Sequence, residues 1–242
     1  MKYIEYFREL RNRILLCFVF LIISFFFSFY NVNYISEILT FPLSVLLDGS
    51  DNKRMIFTGL QEVFVSNLKI SLFSAFLISI PFFICQLMLF SSPALYKSEK
   101  KIFFPLVVLI IFFFFMGIFF AYFFLIPLIW SFFISYENFI DVSLLPIQLE
   151  SRYSEYMKLT MFLLFSSGLS FEFPIVIIFL TKIGLFSELF LKKNRKYFLI
   201  GILVFSALFS PPDIISQIGI AIPLIIFYEL SILFIRFFIK KS

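Results

Sequence analysis

Six stretches of almost uninterrupted apolar residues constrain this chain more than any other feature of its sequence. A helix needs about 20 apolar residues, with a range of roughly 17–25, to cross the hydrocarbon core of a membrane. The six stretches, separated by polar segments or by proline and glycine, cover residues 14–30, 63–90, 102–134, 157–183, 197–209 and 214–237. The pattern therefore predicts an all-α integral membrane protein with six transmembrane helices, forming one membrane domain over residues 1–242.

Composition excludes several other classes of protein. Of the 242 residues, 62% are hydrophobic and only 14% are charged, against about 25% charged residues in a typical soluble domain. A soluble enzyme, a nucleic-acid-binding domain and a secreted disulfide scaffold are therefore not expected. The chain contains no histidine, and its two cysteines lack CxxC spacing. Neither a catalytic triad nor a metal or cofactor site is predicted.

Two of the spans have unusual lengths. The third span is longer than a bilayer requires, so we expect it to bend near Pro105 or Pro127. The fifth is too short for a hydrocarbon core of about 30 Å, and the Pro211-Pro212 pair predicts a tight turn into the sixth. We therefore expect short fifth and sixth spans. The alternative is that residues 197–237 form one re-entrant hairpin.

The distribution of positive charge predicts the orientation. Lysine and arginine concentrate on the inner side of membranes, and an even number of spans places both termini on one side. Most of the 20 positive residues fall in the segments that are inner if the N-terminus is inside: Lys2, Arg8, Arg11, Arg13, Lys97, Lys100, Lys101, Lys182, Lys192, Lys193, Arg195, Lys196, Arg236, Lys240 and Lys241. Both termini are therefore expected inside.

Glu172 lies near the middle of the fourth span, where a lone carboxylate costs about 2.5 kcal/mol or more. Pro174 frees the carbonyl of Ser170 at the same depth. Glu172 is therefore either a hydrogen-bonded structural carboxyl or a group used for docking or transport. Gln217 and Glu229 in the sixth span are weaker candidates, and Glu229 could simply reach the inner surface.

Two further carboxylates stand in unexpected places. Glu9 and Glu99 are surrounded by lysine and arginine in the predicted inner segments. They could partly neutralise those neighbours, or they could accept guanidinium groups from a basic ligand.

Several motifs resemble one known family over essentially the whole chain. They are FRELRNRIL at 7–15, SSPALYKSEKK at 91–101, FAYFFLIP at 120–127, GLSFEFP at 168–174 and SALFSPPDIISQIGIAIPLIIFYELSI at 206–232. By these motifs the chain resembles TatC, the multi-spanning subunit of the twin-arginine protein translocase.

The resemblance implies a cup-shaped bundle of six helices that binds twin-arginine signal peptides of folded cargo. The residues that it implies for signal-peptide binding are Glu9, Arg11, Phe90, Pro93, Tyr96 and Glu99. It places Glu172 on the concave face and Gln217 where small single-span subunits of the TatA/TatB type dock. It further implies transport powered by the proton gradient, self-association in the receptor complex and no enzymatic activity.

Two other functions stay open from the residues alone. A proton-coupled small-solute transporter could use Glu172, but no internal repeat of the kind expected for transporters is visible. A scaffold for assembly of a membrane complex would not explain Glu9 and Glu99. Composition rich in Phe, Ile, Lys, Asn and Tyr suggests an organelle or a reduced bacterial genome. The stretches IFTGLQEVF at 56–64 and LPIQLE at 145–150 resemble the bacterial and mitochondrial branch of the family. The resemblance therefore implies a mitochondrial inner membrane or a bacterial plasma membrane, with the plastid thylakoid as the alternative.

Overall fold

The computed structural model describes residues 2–47, 54–91, 97–140, 151–182, 184–210 and 213–239, without the side chains of 2–5, 97–103, 136–140 and 238–239. These residues are almost entirely helical. The helices are α1 Lys2–Tyr30, α2 Val32–Leu46, α3 Glu62–Ser91, α4 Lys97–Phe120, α5 Ile126–Ile140, α6 Tyr153–Phe171, α7 Phe173–Lys182, α8 Glu188–Lys193, α9 Arg195–Leu208 and α10 Ile214–Phe234. Two π-helical segments, Ala121–Leu125 and Ile235–Ile239, continue α4 and α10.

Five helical stretches of the described residues are long and apolar enough to cross a membrane. They are Tyr6–Tyr30, Glu62–Ser91, Phe104–Ser135, Tyr153–Lys182 and Ile214–Phe237. α9 corresponds to the predicted fifth span, and its 14 residues extend only about 21 Å. The predicted all-α fold of six spans is confirmed, including the short fifth. The sixth span, Ile214–Phe237, has the predicted bounds, and its 24 residues are enough to cross a membrane.

The irregularity of the third span lies at the second of its two prolines. The helix continues through Pro105, whereas the π-helical segment Ala121–Leu125 ends just before Pro127. Proline cannot donate the backbone hydrogen bond of a regular α-helix, and a wider π turn is one way for a helix to accommodate such a gap.

The chain divides into two compact units. The first comprises Met1–Phe41, Met55–Ile111 and Arg152–Met157. In it α1 packs along α3, where the Phe20 and Phe82 rings stack with centroids 4.3 Å apart. The hydroxyl of Tyr156 donates to the carbonyl oxygen of Leu39 at 2.7 Å. This hydrogen bond joins α2 to the start of α6.

A polar network fixes the N-terminus of α3 in the first unit. The Glu62 carboxylate accepts hydrogen bonds from the backbone N–H groups of Thr58 and Gly59 at 2.8 and 3.2 Å. The Ser154 hydroxyl donates to the same carboxylate, and the Arg152 guanidinium lies 3.5 Å from it. Glu62 thereby satisfies free backbone donors beside the helix start and ties them to the beginning of α6.

The second unit comprises Pro42–Arg54, Phe112–Ser151 and Lys158–Ser242. Its core forms around α10, which packs against α7 and α9. The Phe227 ring lies edge-on to Phe113 and Phe171, with centroids 6.4 and 4.7 Å away. The single-domain prediction for residues 1–242 stays a prediction.

Candidate functional site

The first polar site lies on α1 and α3, where Glu9 is held by an arginine one helical turn further along. Arg13 donates to Glu9 Oε1 from Nε at 3.0 Å and from Nη2 at 2.7 Å. The Nη1 group of Arg13 donates to Gln86 Oε1 on α3 at 3.0 Å. Arg13 therefore orients Glu9 and connects it to the neighbouring helix.

These side chains border a cavity of about 420 Å³ that is lined by Arg8, Glu9, Asn12, Arg13, Leu16 and Gln86. The Glu9 side chain is 37% exposed. Its second oxygen, Oε2, has no hydrogen bond to any residue whose side chain the structure describes. That oxygen can accept N–H groups from a ligand without displacing Arg13.

The charge of this cavity limits which ligands it can bind unaided. Among its lining residues, Arg8 and Arg13 carry positive charge and Glu9 carries negative charge. The described lining is therefore net positive and would repel a cationic ligand. A second carboxylate near Glu9 would be needed to reverse that balance.

The structure brings together only part of the set of signal-peptide residues that the sequence predicted. Phe90 is half-buried on α3, one turn beyond Gln86. Arg11 is exposed and does not line the cavity; its guanidinium group donates to the side-chain oxygen of the adjacent Asn12 at 3.5 Å. Glu99 lies in the first turn of α4, and its side chain is among those not described. Pro93 and Tyr96 lie outside the described residues.

Sequence reasoning missed two members of this site. The sequence places Arg13 only among the inner positive charges, although its position four residues after Glu9 puts both side chains on one helix face. Gln86 is not among the predicted site residues. A polar amide in an otherwise apolar span was the available signal, but the sequence does not show which helix it faces.

The second polar site lies in the other unit, where Glu172 occupies a break between two helices. α6 ends at Phe171 and α7 begins at Phe173. Glu172 is half-buried, and its Oε1 atom is buried with no hydrogen-bond partner among the described residues. A buried, unpaired polar atom is costly. The same carboxyl group is hydrogen-bonded to the backbone of Phe114, so both roles that the sequence allows stay open.

Gln217 has a local structural role, because it links α10 to α9. Its Nε2 group donates to the carbonyl oxygen of Leu203 at 3.3 Å. Asp213 caps α10 by accepting from the backbone N–H of Ser216 at 2.7 Å. Pro211 and Pro212, where the sequence predicts a tight turn, lie outside the described residues. At the opposite ends of the same helices, Glu229 pairs with Arg195 at 2.8 Å. Glu229 therefore links α10 to α9.

Comparison with known proteins gives one consistent result. The family model "Sec-independent protein translocase protein (TatC)" matches residues 5–223. A TatC protein of Rickettsia prowazekii is 37% identical over 96% of this chain and 92% of its own length. The TatC of Escherichia coli K12 is 32% identical over 97% of this chain and 88% of its length. A tatC-like protein of Reclinomonas americana is 32% identical over 97% and 87%.

Solved structures give the same result. A crystal structure described as the twin arginine translocase receptor TatC superposes with a TM-score of 0.74 at 32% identity, covering 94% of this chain and 96% of that chain. A second one, in the detergent DDM, gives a TM-score of 0.76 at 33% identity, covering 94% and 98%. The fold and the sequence of this chain are therefore both similar to those of the TatC crystal structures over nearly its full length.

Proposed function

Because the chain belongs to the TatC family of Sec-independent protein translocases, we propose that it is the receptor for twin-arginine signal peptides and that Glu9 receives the signal. The resemblance drawn from the motifs is confirmed, as is the prediction of a multi-pass integral membrane protein. Membership of this family argues against the solute-transporter and scaffold alternatives.

One observation carries the proposal. The Glu9 carboxylate has an oxygen open to ligands beside a cavity of about 420 Å³, and Arg13 and Gln86 fix the orientation of that carboxylate. A guanidinium group of the signal would donate N–H groups to Oε2. A charge-assisted hydrogen bond of this kind contributes about 1.5–3 kcal/mol.

Recognition of two arginines needs a second acid. The described lining of the Glu9 cavity is net positive, so a ligand with two positive charges requires further negative charge nearby. We assign that role to Glu99, in the first turn of α4 within the same unit. Arg11, Phe90, Pro93 and Tyr96 complete the proposed surface.

The test is photocrosslinking of a twin-arginine peptide to the full chain in membranes. Glu9→Gln is expected to lower peptide binding by about tenfold or more, because it removes the charge that strengthens the hydrogen bond. The Glu9→Gln, Glu99→Gln double variant should lower it further. Glu37→Gln removes an exposed acid from α2 and serves as the matched control. Unchanged crosslinking in the double variant contradicts the proposal.

Translocation would require further subunits and an energy source. We assign to the chain the small single-span subunits of the TatA/TatB type as partners, docking near Gln217, and assign Glu172 to insertion of the signal or recruitment of those subunits. We further assign to the chain self-association in the receptor complex and transport powered by the proton gradient. Its two termini would lie on the inner side of a bacterial or mitochondrial membrane. The buried, unpaired Oε1 of Glu172 supports a role beyond packing.

A further inference from the structure

An apolar groove runs beside the short helix α9 in the second unit. It has a volume of about 370 Å³ and is lined by Phe173, Tyr197, Phe198, Gly201, Ile202, Phe205 and Leu224. Apart from its chain neighbours and the local backbone of α9, no described atom lies within 4 Å of the position that a Cβ on Gly201 would occupy. The absence of a side chain at Gly201 therefore keeps the groove open along α9.

The length of the groove fits one membrane leaflet. From Tyr197 to Phe205 an α-helix rises about 12 Å. A single hydrocarbon leaflet is about 15 Å deep, since the whole core is about 30 Å. A transmembrane protein helix, at about 30 Å, would extend well beyond such a groove. Its dimensions favour an acyl chain.

Positive charge lies at one end of the groove. The ammonium group of Lys196 is 5.0 Å from the ring centroid of Tyr197, which is itself a lining residue. Nearby Lys192 and Arg195 are paired with Glu188 and Glu229 at 2.6 and 2.8 Å. Lys196 has no ion pair with a described residue. Its charge is therefore available to an anion at the mouth of the groove.

The segment before α9 has the character of a membrane interface. Leu185 and Leu189 are 67% and 74% exposed, close in sequence to the basic residues 192–196. The Tyr228 hydroxyl anchors α8 by donating to the carbonyl oxygen of Leu191 at 2.8 Å. Exposed apolar side chains next to lysines are typical of segments that lie in the headgroup region. The basic end of the groove is thus at the depth of lipid phosphates.

We propose that this groove binds one anionic phospholipid, with an acyl chain along Gly201 and Phe205 and the phosphate beside Lys196. The site shares no lining residue with the Glu9 cavity, and its basic end at Lys196 lies at the end of α9 opposite the Leu203–Gln217 hydrogen bond. Because α9 spans only about 21 Å, the surrounding bilayer must thin beside it. A bound lipid fills the apolar surface exposed there.

The experiment uses the full chain in phosphatidylcholine vesicles that contain a photoactivatable phosphatidylglycerol or the matching photoactivatable phosphatidylcholine. Crosslinked peptides are identified by mass spectrometry. We expect labelling by phosphatidylglycerol to map to residues 197–205 and to exceed that by phosphatidylcholine about fivefold, the preference expected from one lysine near the surface. Equal labelling by the two lipids would overturn the proposal.

Two pairs of variants test the effect of filling the groove and the effect of removing its charge, each against a control that keeps the fold. Gly201→Leu fills the groove and should abolish labelling of 197–205, whereas Gly201→Ala should retain it. Lys196→Gln should remove the preference for phosphatidylglycerol, and Lys69→Gln, an exposed lysine of the other unit, should keep it. Each variant is first checked for unchanged thermal unfolding. Equal labelling of the two Gly201 variants, or crosslinking of a single-span protein helix at Tyr197 in place of lipid, refutes the assignment.

Discussion

Gly117 lies where α4 closely approaches α6 in the second unit, so an added methyl group there should weaken the fold. A Cβ at position 117 would lie 2.6 Å from the carbonyl oxygen of Ser167 and 2.9 Å from Gly168 Cα. Reaching an ordinary contact of 3.4 Å requires α4 and α6 to separate by about 0.8 Å at that point. The Ser167 hydroxyl, which donates to the Gly117 carbonyl oxygen at 2.9 Å, would lose its partner.

The magnitude follows from three contributions. Overpacking costs about 1–3 kcal/mol, and an interhelical hydrogen bond in a membrane contributes about 0.6 kcal/mol on average. Replacing glycine by alanine inside a helix returns about 0.8–1.0 kcal/mol. We therefore expect Gly117→Ala to lower the free energy of unfolding by about 1–3 kcal/mol.

The assay is unfolding of the detergent-solubilised chain by increasing SDS, followed by fluorescence of the single tryptophan, Trp130. Gly201→Ala is the matched control, because the same substitution there meets open space and should leave stability unchanged or raise it by up to about 1 kcal/mol. Ser167→Ala isolates the hydrogen bond and should cost about 0.6 kcal/mol. If the Gly117 and Gly201 variants unfold at the same SDS concentration, the close-packing explanation is wrong.

Three further predictions concern other contacts. Glu172→Ala is expected to leave crosslinking of a twin-arginine peptide nearly intact while lowering transport of a folded reporter into vesicles; loss of peptide crosslinking would contradict that separation. Tyr228→Phe removes the hydrogen bond to the Leu191 carbonyl and should cost about 1 kcal/mol, seen as faster tryptic cleavage near α8, and an unchanged cleavage rate would argue against this anchor. Arg195→Gln breaks an ion pair whose side chains are 49% and 44% exposed, so the free energy of unfolding in SDS should fall by less than about 1 kcal/mol. A larger fall in this free energy would mean that the pair is better shielded from solvent than its exposure indicates.

Hydropathy was sufficient to locate the spans but not the helices that lie between them. The five long stretches and α9 coincide closely with the apolar runs, because a membrane requires about 20 consecutive apolar residues and leaves a strong signal. α2 and α8 were not predicted. α2 has 15 residues and α8 has six, and helices of that length depend on tertiary contacts such as those of Leu39 and Leu191.

The residues of the candidate sites likewise divide into those that the sequence predicts and those that only the structure shows. The Glu9 carboxylate could be singled out from the sequence because an acid among arginines contradicts the local charge pattern. Its connection to Gln86 could not, because 73 residues separate Arg13 from Gln86 and only the packing of α1 on α3 joins them. Glu172 was also visible as a charge inside an apolar span, whereas its position in a break between α6 and α7 was not.

The sequence by itself therefore determined the membrane class, the number of spans, the family and the acids that carry the functional proposal. Apolar length, charge pattern and ordered motifs are properties that can be read along the chain. Tertiary structure alone decided that Arg13 and Gln86 orient Glu9, that Gly117 meets Ser167, and that Gly201 keeps a groove open beside Lys196. Each of these contacts depends on which faces of the helices pack against one another, and that packing is set by side chains far apart in sequence.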